Sequence, residues 1–189
     1  VIRKDSFYSQ TCELLKSITS SCIIMTVEET TGGPACTSLL FEREISNDQE
    51  LIIANCDQIM WWESGLFLQT ARYDRYDGVL VTYTSDTPKN SYCQIDKNGL
   101  VHEVKEKEVI SDISLNGVHY WRKGHYFVES AKSMIDANDT APNGEFYVGP
   151  TYNHMINKFG KRVGIHHIPN WQHNPVGVPD DLNRYLQRL

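Results

Sequence analysis

Short apolar runs, broken by polar and turn-forming residues, recur along this chain. Residues 22–27, 51–54 and 78–84 are nearly continuous and rich in branched side chains, a pattern that suits strands covered on both faces. Gly32-Gly33-Pro34 breaks the chain after the first run, and residues 35–41 read as the start of a helix. Residues 59–70 carry a helical pattern between the second and third runs. Strands alternating with helices predict a mixed, mainly parallel sheet in an α/β domain.

The second half changes character. Residues 92–96, 101–105 and 115–121 are strand-like and closely spaced, and Lys97-Asn98-Gly99 between the first two is a hairpin signal. A helix is predicted over 124–138, with Phe127, Ala131, Met134 and Ile135 on one face. The Pro142-Asn143-Gly144 turn precedes a predicted helix over 147–159, and 162–168 is a late strand. Pro179 with Asp180 and Asp181 opens a closing helix, with proline in the first turn and acids near the positive end of the dipole.

A length of 189 residues fits one domain with a sizeable core. The net charge of −6 argues against a general nucleic-acid binder, because no basic excess is available to neutralise a phosphate backbone; it leaves room for a small phosphorylated ligand held by local cations. No apolar run is long enough to cross a bilayer, and no secretory leader is visible. Five cysteines, irregularly spaced and without a C-x-x-C pair, fit neither a zinc site nor a disulfide framework. Buried free thiols in a reducing cytoplasm are expected instead. No P-loop, G-x-G-x-x-G or G-x-S-x-G motif occurs.

The chemistry concentrates at a few positions. Asn55-Cys56-Asp57-Gln58 ends the apolar run 51–54. A carboxylate at such a strand end can face the ligand crevice and hold magnesium against phosphates; it can equally cap a helix starting near Ile59. Glu106-Lys107 could meet a sugar and its phosphate, although on spacing alone the alternating signs of residues 105–108 read as a solvated charge run. Gly117 interrupts an apolar strand and marks either a bulge or the close approach of a ligand. Glu145 could accept hydroxyls over a cleft, or be an ordinary acid after a turn. His166 and His167, adjacent on a strand, point to opposite faces and do not form a metal pair with His173.

In order along the chain, Thr31-Gly32-Gly33-Pro34-Ala35-Cys36-Thr37, Ile53-Ala54-Asn55-Cys56-Asp57-Gln58, Pro88-Lys89-Asn90-Ser91-Tyr92, Val104-Lys105-Glu106-Lys107, Asn116-Gly117-Val118-His119-Tyr120, Glu145-Phe146-Tyr147-Val148 and Val176-Gly177-Val178-Pro179-Asp180-Asp181-Leu182 together resemble the sugar-phosphate nucleotidyltransferases. The nearest branch resembles the glucose-1-phosphate thymidylyltransferase-like enzymes of capsule and polysaccharide biosynthesis. The resemblance implies a three-layer α/β/α, Rossmann-like nucleotide-diphospho-sugar transferase fold. It implies a nucleoside triphosphate and a sugar 1-phosphate as small-molecule partners, with Mg2+ as cofactor. By the same resemblance Asp57 binds the metal and acts in catalysis with Lys107. Gly33 and Asn55 lie by the nucleotide, and Glu106, Gly117 and Glu145 contact the sugar.

Two departures accompany this resemblance. The family's glycine-rich triphosphate loop has no counterpart, so the chain is expected to start inside the first βαβ unit, which takes about 30 residues or more. Little transfer by this polypeptide alone is then expected, and the run 51–54 should lie at a sheet edge and favour a homo-oligomer. Pro175 stands where a second metal-binding aspartate is frequent, which leaves magnesium to Asp57, phosphate oxygens and water. Two other classes stay open: a GT-A-type glycosyltransferase, against which the missing second aspartate of an Asp-x-Asp pair counts, and a non-catalytic nucleotide-sugar-binding or assembly protein.

Overall fold

The computed structural model describes residues 1–73 and 75–189. Its first half contains β1 (Ile2–Arg3), α1 (Tyr8–Ile18), β2 (Thr26–Val27), α2 (Pro34–Leu39), α3 (Glu42–Ile45), β3 (Leu51–Ala54), β4 (Gln58–Met60), α4 (Ser64–Tyr73) and β5 (Gly78–Thr84). The second half contains β6 (Ser91–Ile95), β7 (Val101–Glu106), β8 (Ile113–Trp121), α5 (Gly124–Asp136), α6 (Thr151–Phe159), β9 (Val163–His167), β10 (His173–Pro175) and α7 (Pro179–Leu186).

The main sheet has the order β7-β6-β8-β5-β9, with β3 paired to the far half of β8. It is mixed. Strands β3, β5, β6 and β9 run one way, and β7 and β8 run against them. Because β8 sits between β5 on one flank and β6 and β3 on the other, most neighbouring pairs are antiparallel, and β5–β9 is the parallel pair of this sheet. The hairpin β6–β7 turns on Gly99 at φ +78, with Asp96 accepting from the amides of Asn98 and Leu100.

Alternation along the strands builds the layers. Leu80 of β5 and Leu115 and Trp121 of β8 face one cluster with Phe127, Ala131, Tyr152 and Met155 of α5 and α6. Val79 and Val81 of β5 and Val118 and Tyr120 of β8 face the other, with Phe67 and Ala71 of α4. The strands are thus covered on both faces, which is why they read as continuous apolar runs. Full burial of Trp121, Tyr152 and Phe127 supplies about 1.5–3 kcal/mol for each large side chain.

Several expectations need correction. The run 22–27 forms a strand only at Thr26–Val27, which pairs in parallel with β1 in a small sheet of its own. Gln58–Met60, expected to open a helix, is a strand antiparallel to β10, and the helix begins at Ser64; Asp57 therefore caps nothing. The helix expected over 147–159 begins at Thr151, after Pro150. Among the cysteines, all free, Cys93 is buried and Cys56 is exposed. No helix among the described residues is long and apolar enough to cross a membrane.

Candidate functional site

Asp57 follows β3 at its carboxyl end. Its own carbonyl accepts a hydrogen bond from the Val176 amide at 2.8 Å, which ties the loop to the segment after β10. Gly177 packs directly on its carboxylate, and a Cβ there would collide with Oδ2. Asp57 enters none of the ion pairs among the described residues.

The carboxylate stands where two hollows meet. The inner cavity, of about 290 Å³, has Asp57, Glu106, Gly117, His119, Tyr147 and His173 in its wall. An outer groove, of about 890 Å³, runs along β3 past Gly33, Ile52, Asn55, Asp57, Glu145 and Tyr147. Six of the seven residues singled out from the sequence therefore line these two hollows. The seventh, Lys107, is exposed at their rim and donates from Nζ to the Tyr147 hydroxyl at 2.7 Å.

Gly117 sits at φ +87, where the β5–β8 register shifts, so the bulge anticipated there exists. It also permits a close approach, by a side chain of the protein: a Cβ on Gly117 would strike Asn55 Nδ2. Gly33, at φ +129, lies against the backbone of Phe146, and Ala35 N donates to Phe146 O at 2.9 Å. That contact accounts for a glycine whether or not a ligand lies nearby.

Glu106 is not a solvated member of a charge run. Burial pushes its carboxyl above the usual range, while a hydrogen bond from Ser91 Oγ and the charge of Lys107 pull the other way. Lys107 itself adopts φ 58. Its bond to the Tyr147 hydroxyl is the first cause raising its pKa. Asn143 Nδ2 joins the network, donating to Glu145 Oε2 at 2.8 Å and to Tyr147 at 3.0 Å. Bonds from Tyr147 and Asn143 hold the Glu145 carboxyl below its ordinary value.

Two histidines also line the inner cavity, a place the sequence did not assign to them. His119 is buried on β8, where desolvation drops its pKa to about 4 and keeps the ring neutral. The His173 ring lies against that of Tyr83, with centroids 4.4 Å apart and the planes tilted by 45°; burial lowers its pKa against the pull of Asp57. The Nδ1 atoms of both, and Nε2 of Gln58, are buried without a hydrogen-bond partner among the described residues. Nothing local in the sequence marks His119, whereas His173 was noticed only as a weak metal candidate. His166 and His167 are engaged elsewhere, with Thr70 at 3.0 Å and Thr82 at 3.1 Å.

Among the described residues no three His, Cys, Asp or Glu side chains cluster as a metal cage. One strand-end carboxylate free of ion pairs, open to two hollows, fits magnesium that keeps most of its ligands as phosphate oxygens and water.

No protein-family model matches this chain, and no curated protein matches it. Solved structures do. A nucleoside-diphosphate-sugar pyrophosphorylase from Vibrio cholerae RC9 superposes with a TM-score of 0.78 at 18% identity, covering 98% of this chain and 79% of its own. A candidate glucose-1-phosphate thymidylyltransferase from Bacillus anthracis, in complex with a sucrose, gives 0.72 at 17% identity, over 97% of this chain and 72% of its own. The inositol-1-phosphate CTP transferase from T. maritima gives 0.71 at 12% identity, over 99% and 73%. The chain has the α/β fold of these proteins.

Proposed function

We propose that this fold serves nucleotidyl transfer here too: a nucleoside monophosphate passes from a nucleoside triphosphate to a sugar 1-phosphate, giving a nucleoside diphosphate sugar and pyrophosphate. The observation that carries this reading is the position of Asp57, outside every ion pair among the described residues and at the mouth shared by the inner cavity and the outer groove. The three structural neighbours, whose names concern such transfers, support the same class.

In this reading the sugar occupies the inner cavity, beside Glu106 and the open backbone at Gly117, and Glu145 meets its hydroxyls from the groove side. The nucleotide lies along the groove, past Gly33 and Asn55. Lys107, oriented by Tyr147, meets the sugar phosphate at the rim and neutralises charge as the phosphate oxygen attacks the α-phosphorus. Asp57 would hold magnesium, which when bound offsets phosphate charge. The protein's own work is alignment and electrostatic complementarity.

The test is pyrophosphate release with a panel of five nucleoside triphosphates and several hexose 1-phosphates. Release that requires both substrates is expected, at a low rate, since the family's glycine-rich triphosphate loop has no counterpart in this sequence. Hydrolysis of a nucleoside diphosphate sugar without any such release would favour a different chemistry.

A further inference from the structure

The inner cavity does not end at the sugar position. Tyr83, Lys89, Asn90, His173 and Pro175 line it and also line a third hollow, of about 730 Å³, between the end of β5, the 85–90 loop and α7. This cleft differs in charge from the rest of the molecule. The chain carries a net −6, yet the cleft presents Lys89, Arg184 and Arg188 against Asp86 and Asp181. Arg184 engages Asp181, while Lys89 and Arg188 enter none of the ion pairs among the described residues. The inner cavity carries the carboxylates of Asp57 and Glu106 with one cation, Lys89, in its wall, whereas three of the five charged side chains lining the cleft are cations. His173 lines both hollows, with a buried Nδ1 that has no hydrogen-bond partner among the described residues.

We propose that this cleft is a second anion subsite, and that the sugar phosphate taken by the inner cavity carries another anionic group, a phosphate or a carboxylate, on the side away from Asp57. The inference rests on the proposed function for the location of the sugar. Its chemical basis is separate: guanidinium groups match phosphate and carboxylate geometry bidentately, and a cleft with an excess of cations attracts the opposite charge. A sugar with only neutral hydroxyls leaves Lys89 and Arg188 unused.

Calorimetric titration of matched pairs tests this: glucose 1-phosphate against glucose 1,6-bisphosphate, the same pair for mannose, and glucuronic acid 1-phosphate as the carboxylate arm. The doubly charged ligands are expected to bind at least about tenfold tighter than their partners, with an advantage that shrinks as salt rises. In the double variant Arg184→Gln, Arg188→Gln the advantage should fall below about twofold while hexose 1-phosphate binding is unchanged. Helix α7 has no buried residue, so the variant should melt as the parent does. Equal binding of mono- and bisphosphate, or an advantage that survives in the variant, overturns the subsite and leaves the proposed function standing. Failure of all these ligands to bind overturns both.

Discussion

Gly177 and Asp57 are in contact across the mouth of the site: the glycine's Cα faces the carboxylate so closely that a methyl group would displace Oδ2. The obstructing atom is the end of a side chain and not backbone, so Gly177→Ala should leave the fold intact and swing the carboxylate instead. Since an error of about 1 Å in alignment can cost on the order of a hundredfold in rate, we expect transfer to fall roughly tenfold to a hundredfold with the melting temperature nearly unchanged. Parallel measurement of kcat/KM and thermal unfolding checks this; a full-activity variant would show that the carboxylate's position does not matter.

Gly117 poses a different problem. Its φ of +87 is unfavourable to any side chain, and the space is filled by Asn55. Gly117→Ala combines backbone strain, about 1–3 kcal/mol, with expulsion of Asn55 from its place. Denaturant unfolding should show a loss in that range, and ligand binding should weaken as well. A neutral effect on stability would mean that the turn is looser than described.

Glu106 links the cavity to pH. Its carboxyl is raised in the folded state, chiefly by burial. The folded protein then binds more protons than the unfolded chain above the ordinary carboxyl value of 4.5, and stability declines as pH rises through the folded pKa. Glu106→Gln should therefore melt higher than the parent at pH 7, with a difference that shrinks on acidification and vanishes below the ordinary value, while sugar phosphate binding is lost. Thermal melts from pH 4 to pH 8 measure it; a variant less stable at pH 7 would contradict the sign.

Strand β3 pairs with β8 alone among the described residues, and Ile52, 46% exposed, lies on it beside the apolar groove. Free edges with apolar side chains invite pairing. We expect self-association at high concentration, relieved by Ile52→Lys. Light scattering reads this directly, and a parent that stays monomeric across the concentration range would refute it.

How much of this was legible in the sequence depends on range. Strands β3, β5 and β8 declare themselves because buried, branched runs have few other uses. Strand β4 does not: its partner Asn174 lies 115 residues from Ile59, and Gln58-Ile59-Met60 reads equally well as the first turn of the helix that follows. Strand β2 is two residues long and pairs with the two of β1, 24 positions away in the chain, a contact that no local pattern in the run 22–27 records. At the site, Asp57 and Gly117 are marked by breaks in apolar strands. His119 and His173 become neighbours of the same cavity only when β8 and β10 are brought together, and no local pattern records that. Glu106 was named from its chemistry and from the resemblance, but its burial was hidden, since alternating charge reads as a solvated run.

In the proposed function Asp57 joins a magnesium-dependent nucleotide site to a sugar phosphate cavity. The most direct test of that role is the shift in melting temperature produced by nucleoside triphosphates and sugar 1-phosphates, with and without magnesium, in the parent and in Asp57→Asn, since ligands of the folded state raise that temperature. We expect a magnesium-dependent rise with at least one triphosphate in the parent, lost in the variant, whose unliganded melt is unchanged. An equal rise in both proteins, or one indifferent to magnesium, would contradict the account.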